Sequence, residues 1–246
     1  MSTLDPLVAH LRRVGHELGT RTCVRDRGAA LDTIVSTALV LVPNADAAGL
    51  TLVDCYLPTA NAAPASVVAL DALQGGCGEG PAATALTDPP ADGTVLAEDF
   101  AGPDGDRWPR FAPHVLEAGY RSMISVLLEV EGAPRGTVNL YGVAPHAFDA
   151  RARRVAGLFA ITASMVLLGV EQVALLERAV ASRDVIGRAK GVLMERFWLD
   201  EDAAYAKLVD ASQHTNVKLV DVARWLDREF RAGGGRHAAF VDEPCL

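Results

Sequence analysis

Residues 182–230 decide the C-terminal part of the fold and read SRDVIGRAKGVLMERFWLDEDAAYAKLVDASQHTNVKLVDVARWLDREF. Apolar residues recur there at three- and four-residue spacing in three consecutive runs, which predicts three short amphipathic helices. The acidic run at 200–202 suits the start of the second helix, because carboxylates are favourable at a helix N-terminus. The stretch holds no catalytic constellation and no metal-ligand spacing, so we expect it to contact a partner.

One face of the first of these helices is predicted to be basic. At 100° per residue, Arg183, Lys190, Gly187 and Gly191 fall on one side, Arg188 lies at its flank, and the apolar residues lie opposite. A glycine inside a helix costs about 1 kcal/mol relative to alanine. Two glycines on this face indicate close approach of another backbone, from a protein or a phosphate chain. The alternative is a solvated face on which the glycines are incidental.

Composition argues against a generally basic nucleic-acid coat. The 246 residues include 23 Lys and Arg against 31 Asp and Glu, a net charge of −8. Residues 183–232 contain nine basic and nine acidic residues, so the whole acidic excess lies outside them. A neutral module can still bind a polyanion if its basic groups share one face.

Cysteine usage and hydropathy predict a cytoplasmic protein. Cys23, Cys55, Cys77 and Cys245 are far apart, which fits reduced thiols better than a disulfide framework. The N-terminal sequence MSTLDPLVAHLRRVGHELG lacks the apolar region of a signal peptide. Residues 155–170 carry no charge, but as a helix they span roughly 24 Å against about 30 Å of bilayer hydrocarbon. We expect this helix to be buried by a sheet or by a second subunit.

The first two thirds of the chain predict an α+β domain. The predicted elements are helices at 4–19 and 28–42, strands at 47–54 and 66–71, a glycine-rich turn at 74–80 with a short helix after it, a long loop at 87–109, a helix at 111–118, strands at 122–130 and 136–141, and a helix from 149 to 197. This order describes an antiparallel sheet flanked by helices. A loop as long as 87–109 is often a binding loop or a lid.

The middle of the long helix carries a short heptad pattern. Val166, Val173, Val180 and Leu176 fall near a and d positions, the spacing that pairs helices in coiled coils. The pattern predicts that the helix leaves the first domain and pairs with its copy in a second subunit. The alternative is a helix packed only on its own domain.

Several phrases within residues 10–170 resemble a GAF domain. They are AAGLTLVD, LDALQGGCGEGPAATAL, WPRFAPHVLEAGYRSMISVLLEVEG and GTVNLYGVAPHAFD, followed by the long helix. The resemblance implies a sensor that binds a small molecule between the sheet and the neighbouring loops. The candidate lining residues are Gln74, Glu79, Trp108 and Phe111. For Trp108 and Phe111 a place in the core is the favoured interpretation, and no residue identifies a ligand or cofactor.

The C-terminal phrases resemble an ANTAR domain. They are SRDVIGRAKGVLMERF, AYAKLVDASQ and NVKLVDVARWL, with matching positions at fixed spacing. The resemblance implies RNA binding in transcription antitermination, through paired hairpin loops of nascent transcripts. The order of a GAF domain followed by an ANTAR domain resembles actinobacterial regulators of that kind. It implies a sensor domain at 10–170, a helical coiled-coil connector at 171–182, an RNA-binding domain at 183–232 and a flexible tail at 233–246.

The predicted RNA-binding residues are Arg183, Arg188, Lys190, Gly191, Lys218 and Arg224. Two departures from the family pattern oppose strong RNA binding. Val209 and Asp210 stand where the family often has arginine, and an acidic side chain repels phosphate. In the GAF-like part, Ala82 stands where the family often has cysteine, so a role for that thiol is not carried over.

Two other function classes compete with RNA binding. The helical module could serve only homodimer or other protein contacts, which the missing arginines favour. An enzyme is disfavoured, because Asp54, His114, Glu117 and His146 are scattered and neither a Walker motif nor H-E-x-x-H is present.

Overall fold

The computed structural model describes residues 26–53 and 62–232. The helix predicted at 4–19 and the tail predicted at 233–246 lie outside the described residues. The elements are α1 (Arg27–Leu41), β1 (Ala47–Leu52), α2 (Ala65–Cys77), α3 (Pro81–Thr87), β2 (Thr94–Ala97), α4 (Pro103–Arg107), α5 (Ala112–Glu117), β3 (Ser122–Val130), β4 (Ala133–Gly142), α6 (Ala150–Phe197), α7 (Glu201–Thr215) and α8 (Leu219–Ala232). The chain divides into an N-terminal unit, Met1–Val173, and a C-terminal unit, Ala174–Leu246.

The N-terminal unit contains a four-stranded antiparallel sheet in the order β1-β4-β3-β2. Strands β3 and β4 form a hairpin whose two turn residues, Glu131 and Gly132, have φ of 52° and 76°. Positive φ at both residues of a two-residue turn matches the twist of the flanking strands. The α+β class and the antiparallel sheet were predicted and are confirmed.

Strand alternation gives the sheet two buried faces, because successive side chains point to opposite sides. On one face Leu50, Ile124 and Leu140 pack with α1 and the first half of α6. On the other face Met123 and Tyr141 pack with residues of α2, α3 and α5. The sheet is therefore covered on both sides by helices.

The first half of α6 is a core helix of the N-terminal unit. Asp149 caps it by accepting hydrogen bonds from the backbone N–H groups of Arg151 and Ala152, at 2.9 and 2.7 Å. Val155, Phe159 and other apolar residues of one face are buried against the sheet. By length and composition alone the helix could cross a membrane, but a third (33%) of its apolar window is buried inside the protein. The sheet therefore buries one face of this segment, whereas Leu158, Ile161 and Met165 on another face are exposed.

Two local predictions in the N-terminal unit are wrong. Residues 66–71, predicted as a strand, belong to helix α2, whose buried residues Val67, Leu70, Asp71 and Gln74 recur every three or four positions. A six-residue apolar run cannot by itself separate strand from helix, and here the polar members of the helical stripe hid the period. The predicted loop at 87–109 contains the edge strand β2 and the short helix α4.

The C-terminal unit is built from three helices, as predicted. The core consists of Ala189, Leu193, Ala204, Leu208 and Ala223, and small alanine side chains let the helices approach closely. The side chain of Asp200 caps α7 by accepting a hydrogen bond from the N–H of Ala203 at 2.8 Å. Such a cap satisfies one of the N–H groups that a helix start leaves without a partner.

Candidate nucleic-acid interface

The C-terminal part of α6 presents the predicted face to solvent. Ala189 and Leu193 are buried in the three-helix core, while Arg183, Gly187 and Gly191 are exposed. A Cβ atom added at either glycine would meet nothing within 4 Å. Packing within the described part of the chain therefore does not require glycine at these two positions. Either a binding partner approaches closely there, or the glycines are incidental.

Lys190 forms an ion pair inside the C-terminal unit. Its ammonium contacts Glu201 Oε1 at the start of α7, and only 21% of the lysine side chain is exposed. The hydrogen bond from Lys190, with its positive charge, lowers the pKa of Glu201. Lys190 thus joins two helices, and a phosphate would have to displace Glu201 to reach its ammonium.

Two of the predicted arginines are also paired. Arg188 Nε lies 3.5 Å from Asp227 Oδ1, which joins α6 to α8. Arg224 Nη1 donates to Asp221 Oδ1 at 2.9 Å one helical turn away. The charge of each guanidinium is therefore partly neutralised at its present position.

Other basic groups of the unit carry no such partner. Arg183 and Lys218 are exposed, and no ion pair or hydrogen bond of their side chains occurs within residues 26–53 and 62–232. The same holds for Arg178, Arg196 and Arg228, which the sequence analysis did not select. An exposed cation whose side chain has no ion-pair partner is the group most available to a phosphate.

The described part of the C-terminal unit also has five exposed aromatic side chains, some of them close to these cations in the sequence. The exposed members are Phe197, Trp198, Tyr205, Trp225 and Phe230. Trp225 and Phe230 of α8 therefore lie outside the three-helix core. Trp225 lies next to the buried stripe of Leu219, Ala223 and Leu226, and one position rotates a helical side chain by about 100°.

The two departures from the family pattern occupy different environments. Val209 is partly buried, so it contributes to packing rather than to a surface. Asp210 is exposed, and its Oδ1 lies 3.0 Å from His214 Nδ1 one turn later. Asp210 therefore keeps a negative charge at the surface of α7, next to a histidine that offsets it only when protonated.

The four predicted pocket residues lie in two different environments. Phe111 and Trp108 are buried in the core between the sheet and α5, which is the alternative given for them above. Gln74 is buried and accepts a hydrogen bond from the N–H of Ala82 at 2.8 Å. Glu79 is partly buried, and its Oε1 accepts a hydrogen bond from Arg110 Nε at 2.7 Å. None of these four side chains lines the groove along α6 that is described below.

A buried polar cluster that was not predicted from the sequence lies where α2 crosses the sheet. Asp71 Oδ1 accepts hydrogen bonds from the Tyr141 hydroxyl at 2.5 Å and from Asn139 Nδ2 at 2.9 Å. Asp71 Oδ2 has no hydrogen-bond partner in the described chain. Burial raises the pKa of Asp71 from 3.8 to about 7, against the lowering effect of these two hydrogen bonds. Asp71 is part of the helical stripe of α2, which is why its periodic position could have revealed it.

An open groove of about 960 Å³ runs along α6 in the N-terminal unit. Its lining includes Gly93, Leu127, Glu129, Leu158, Ile161 and Met165. The last three are large apolar side chains that are at least half exposed. Val166, one of the predicted heptad residues, instead packs against the unit's own core. Leu176 and Val180, two other predicted heptad residues, are each more than half exposed.

Comparison with known proteins agrees with both halves of this description. The family model of the ANTAR domain matches residues 174–226. A comparison with curated proteins finds no match. The GAF domain from Acinetobacter phosphoenolpyruvate-protein phosphotransferase is similar in structure, with a TM-score of 0.50 and 16% identity over 71% of this chain and 99% of that one.

Two phytochrome structures are similar to the same extent. The chromophore-binding domain of an unusual bacteriophytochrome, RpBphP3 from R. palustris, has a TM-score of 0.50 and 13% identity over 71% of this chain and 64% of that one. Bacteriophytochrome RpBphP3 from the photosynthetic bacterium R. palustris has a TM-score of 0.52 and 12% identity over 76% and 42%. This chain thus spans less than two thirds of either phytochrome structure, and such identities show the fold alone. The chain has a GAF-type fold followed by an ANTAR domain.

Proposed function

We propose that this chain, in which an ANTAR domain follows a GAF-type unit, is a signal-responsive RNA-binding regulator that acts by transcription antitermination. The observation that carries the proposal is the ANTAR match at 174–226, on a compact three-helix unit. The proposed ligand is the loop of an RNA hairpin in a nascent transcript. We propose that the protein is cytoplasmic, and that it binds RNA without acting as an enzyme.

Arg183 and Lys218 are the proposed primary phosphate contacts, because both are exposed and neither has an acidic partner among the described residues. Arg188, Lys190 and Arg224 are secondary, since each must exchange a carboxylate for a phosphate. Gly191 supports close approach of the RNA backbone, because nothing lies within 4 Å of the position of a Cβ there.

The test is a titration of the full-length protein with hairpin RNAs selected from a library with randomised loops. Arg183→Ala and Lys218→Ala should each weaken binding and reduce the slope of log K against log salt concentration by about one. Arg151→Ala, an exposed arginine of the N-terminal unit, is the matched control. Failure of the wild-type protein to select any RNA with salt-dependent affinity would refute the proposed function.

The proposed regulator is a homodimer joined along α6. The exposed residues Leu158, Ile161 and Met165 follow three- and four-residue spacing, and Leu168 and Leu175 continue that spacing in the sequence. This spacing is typical of paired helices. A second copy that covers these side chains would remove their apolar surface from water, which favours association. Two joined ANTAR domains would engage two RNA loops at a high effective concentration.

Sedimentation equilibrium tests the dimer. Ile161→Glu should shift the protein toward monomer, because it places a charge in the proposed seam. Val40→Glu, at an exposed apolar position on α1, is the matched control and should leave the oligomeric state unchanged. A wild-type protein that stays monomeric at high micromolar concentration would remove the seam from the proposal.

The groove also supports a second candidate function, a sensor whose helices contact only other proteins. This candidate predicts dimerisation without salt-dependent RNA binding, so the RNA titration separates the two. In either case a small molecule bound to the GAF-type unit is the proposed signal. Native mass spectrometry of protein purified from its own host would reveal such a ligand together with the number of subunits.

A further inference from the structure

The turn between α6 and α7 holds an aromatic side chain in an unusual position. Trp198 is 94% exposed, more than any other large apolar residue described. Its φ is 53°, in the left-handed region that favours glycine. The N–H of Leu199 bonds to the carbonyl of Met194 at 3.3 Å, which makes Trp198 the residue that closes the helix in a place where glycine is usual.

Trp198 therefore combines two unfavourable features. A tryptophan gains more than most residues from burial, and a left-handed backbone is strained for any residue with a Cβ. Neither feature is compensated by a hydrogen bond or a ring contact of the indole within residues 26–53 and 62–232. An uncompensated outlier of this kind indicates a function for the exposed ring.

The neighbouring residues supply a second aromatic face and positive charge. Phe197, also exposed, ends α6, and the Lys207 ammonium lies 5.6 Å from the centre of its ring. Arg196 is exposed one residue earlier and has no ion-pair partner in the described chain. Aromatic rings beside cations are the combination with which proteins bind unpaired bases of single-stranded nucleic acid.

The acidic residues that follow Trp198 are largely engaged. Asp200 accepts the capping hydrogen bond from the N–H of Ala203, and Glu201 is paired with Lys190. Asp202, in the first turn of α7, is exposed and has no ion pair within residues 26–53 and 62–232. The negative charge of residues 199–202 therefore repels a phosphate chain less than the sequence LDED suggests. It does not repel an uncharged base that stacks on the indole.

We infer that Trp198 and Phe197 form a stacking platform for an unpaired base of the RNA loop, with Lys207 and Arg196 beside it. This inference rests on the proposed function and deepens it, because it adds base contacts to a surface so far described only by phosphate contacts. The indole is the principal platform, and the strained turn holds it away from the three-helix core.

The experiment separates the ring from the fold by substituting glycine. Trp198→Gly removes the indole and relieves the left-handed backbone, so the thermal stability of the protein should stay equal or rise. Its affinity for a hairpin RNA selected with wild-type protein should fall roughly 5- to 100-fold, the range measured for loss of one stacked base. The salt slope should not change, since no phosphate contact is removed.

Trp198→Phe is the conservative variant and should retain binding within about threefold, because a phenyl ring still offers a stacking face. Equal RNA affinity of wild type and Trp198→Gly would overturn the platform and leave the proposed function standing. Unchanged RNA affinity together with a loss of self-association would assign the ring to a protein contact instead. If wild-type protein selects no RNA at all, the proposed function fails and the platform fails with it.

Discussion

Replacing Asp71 with asparagine should change how the stability of the N-terminal unit depends on pH. The folded protein raises the pKa of this buried carboxyl from 3.8 to about 7. Between these two values the folded chain keeps a proton that the unfolded chain has released. The stability contributed by that proton is complete below pH 3.8 and is lost as the pH rises through about 7.

The magnitude follows from the two pKa values. Each unit of pKa difference corresponds to about 1.4 kcal/mol, so the total effect is roughly 4 kcal/mol, and about 2 to 3 kcal/mol of it falls between pH 5 and pH 8. Asp71→Asn keeps the oxygen that accepts from Tyr141 but cannot ionise. The stability difference, variant minus wild type, should therefore rise by about 2 to 3 kcal/mol from pH 5 to pH 8.

Urea unfolding followed by tryptophan fluorescence measures this difference. Trp108 reports on the N-terminal unit because it is only 4% exposed, whereas Trp198 and Trp225 are already exposed in the folded state. Asp106→Asn, an exposed carboxyl of the same unit, is the matched control. A stability difference between wild type and Asp71→Asn that is the same at pH 5 and pH 8 would refute the reasoning.

Three further predictions concern single side chains. Gly49→Ala should destabilise the N-terminal unit by roughly 1 to 3 kcal/mol in urea unfolding, because its Cβ would lie 2.0 Å from Asp71 Oδ2. Asp200→Ala should lower the stability of the C-terminal unit by about 1 kcal/mol through loss of the helix cap, and Asp202→Ala, which removes no cap, should cost less in the same melt. Gly191→Ala should raise helix stability by about 1 kcal/mol in thermal unfolding but weaken binding of the selected RNA. Unchanged RNA affinity in that variant would mean that the exposed glycine is incidental.

The predictions that held for the fold came from long, regular patterns. The helix at 28–42, the strand at 122–130 and the long helix from 149 were each predicted within a residue or two of their observed bounds. Each has many residues over which a period of about 3.6 or 2 can be recognised. The segment at 66–71 was too short for that test, and its helical stripe included the polar residues Asp71 and Gln74.

For the candidate site, too, local features could be predicted from the sequence and contacts between helices could not. The wheel of one helix predicted which side of residues 183–197 is exposed, because that property depends on one local period. It could not predict that Lys190 meets Glu201 or that Arg188 meets Asp227, since each pair joins different helices.

The sequence by itself determined an α+β unit followed by three amphipathic helices, because apolar periods are properties of neighbouring residues. Its motifs added the resemblance to GAF and ANTAR domains. Only the tertiary structure decided which charges and rings are free. It paired three of the five predicted RNA-binding cations with carboxylates, buried Asp71 beside Tyr141, and left Trp198 exposed. The physical reason is that an ion pair, a desolvated carboxyl and an uncovered ring each depend on residues distant in the chain.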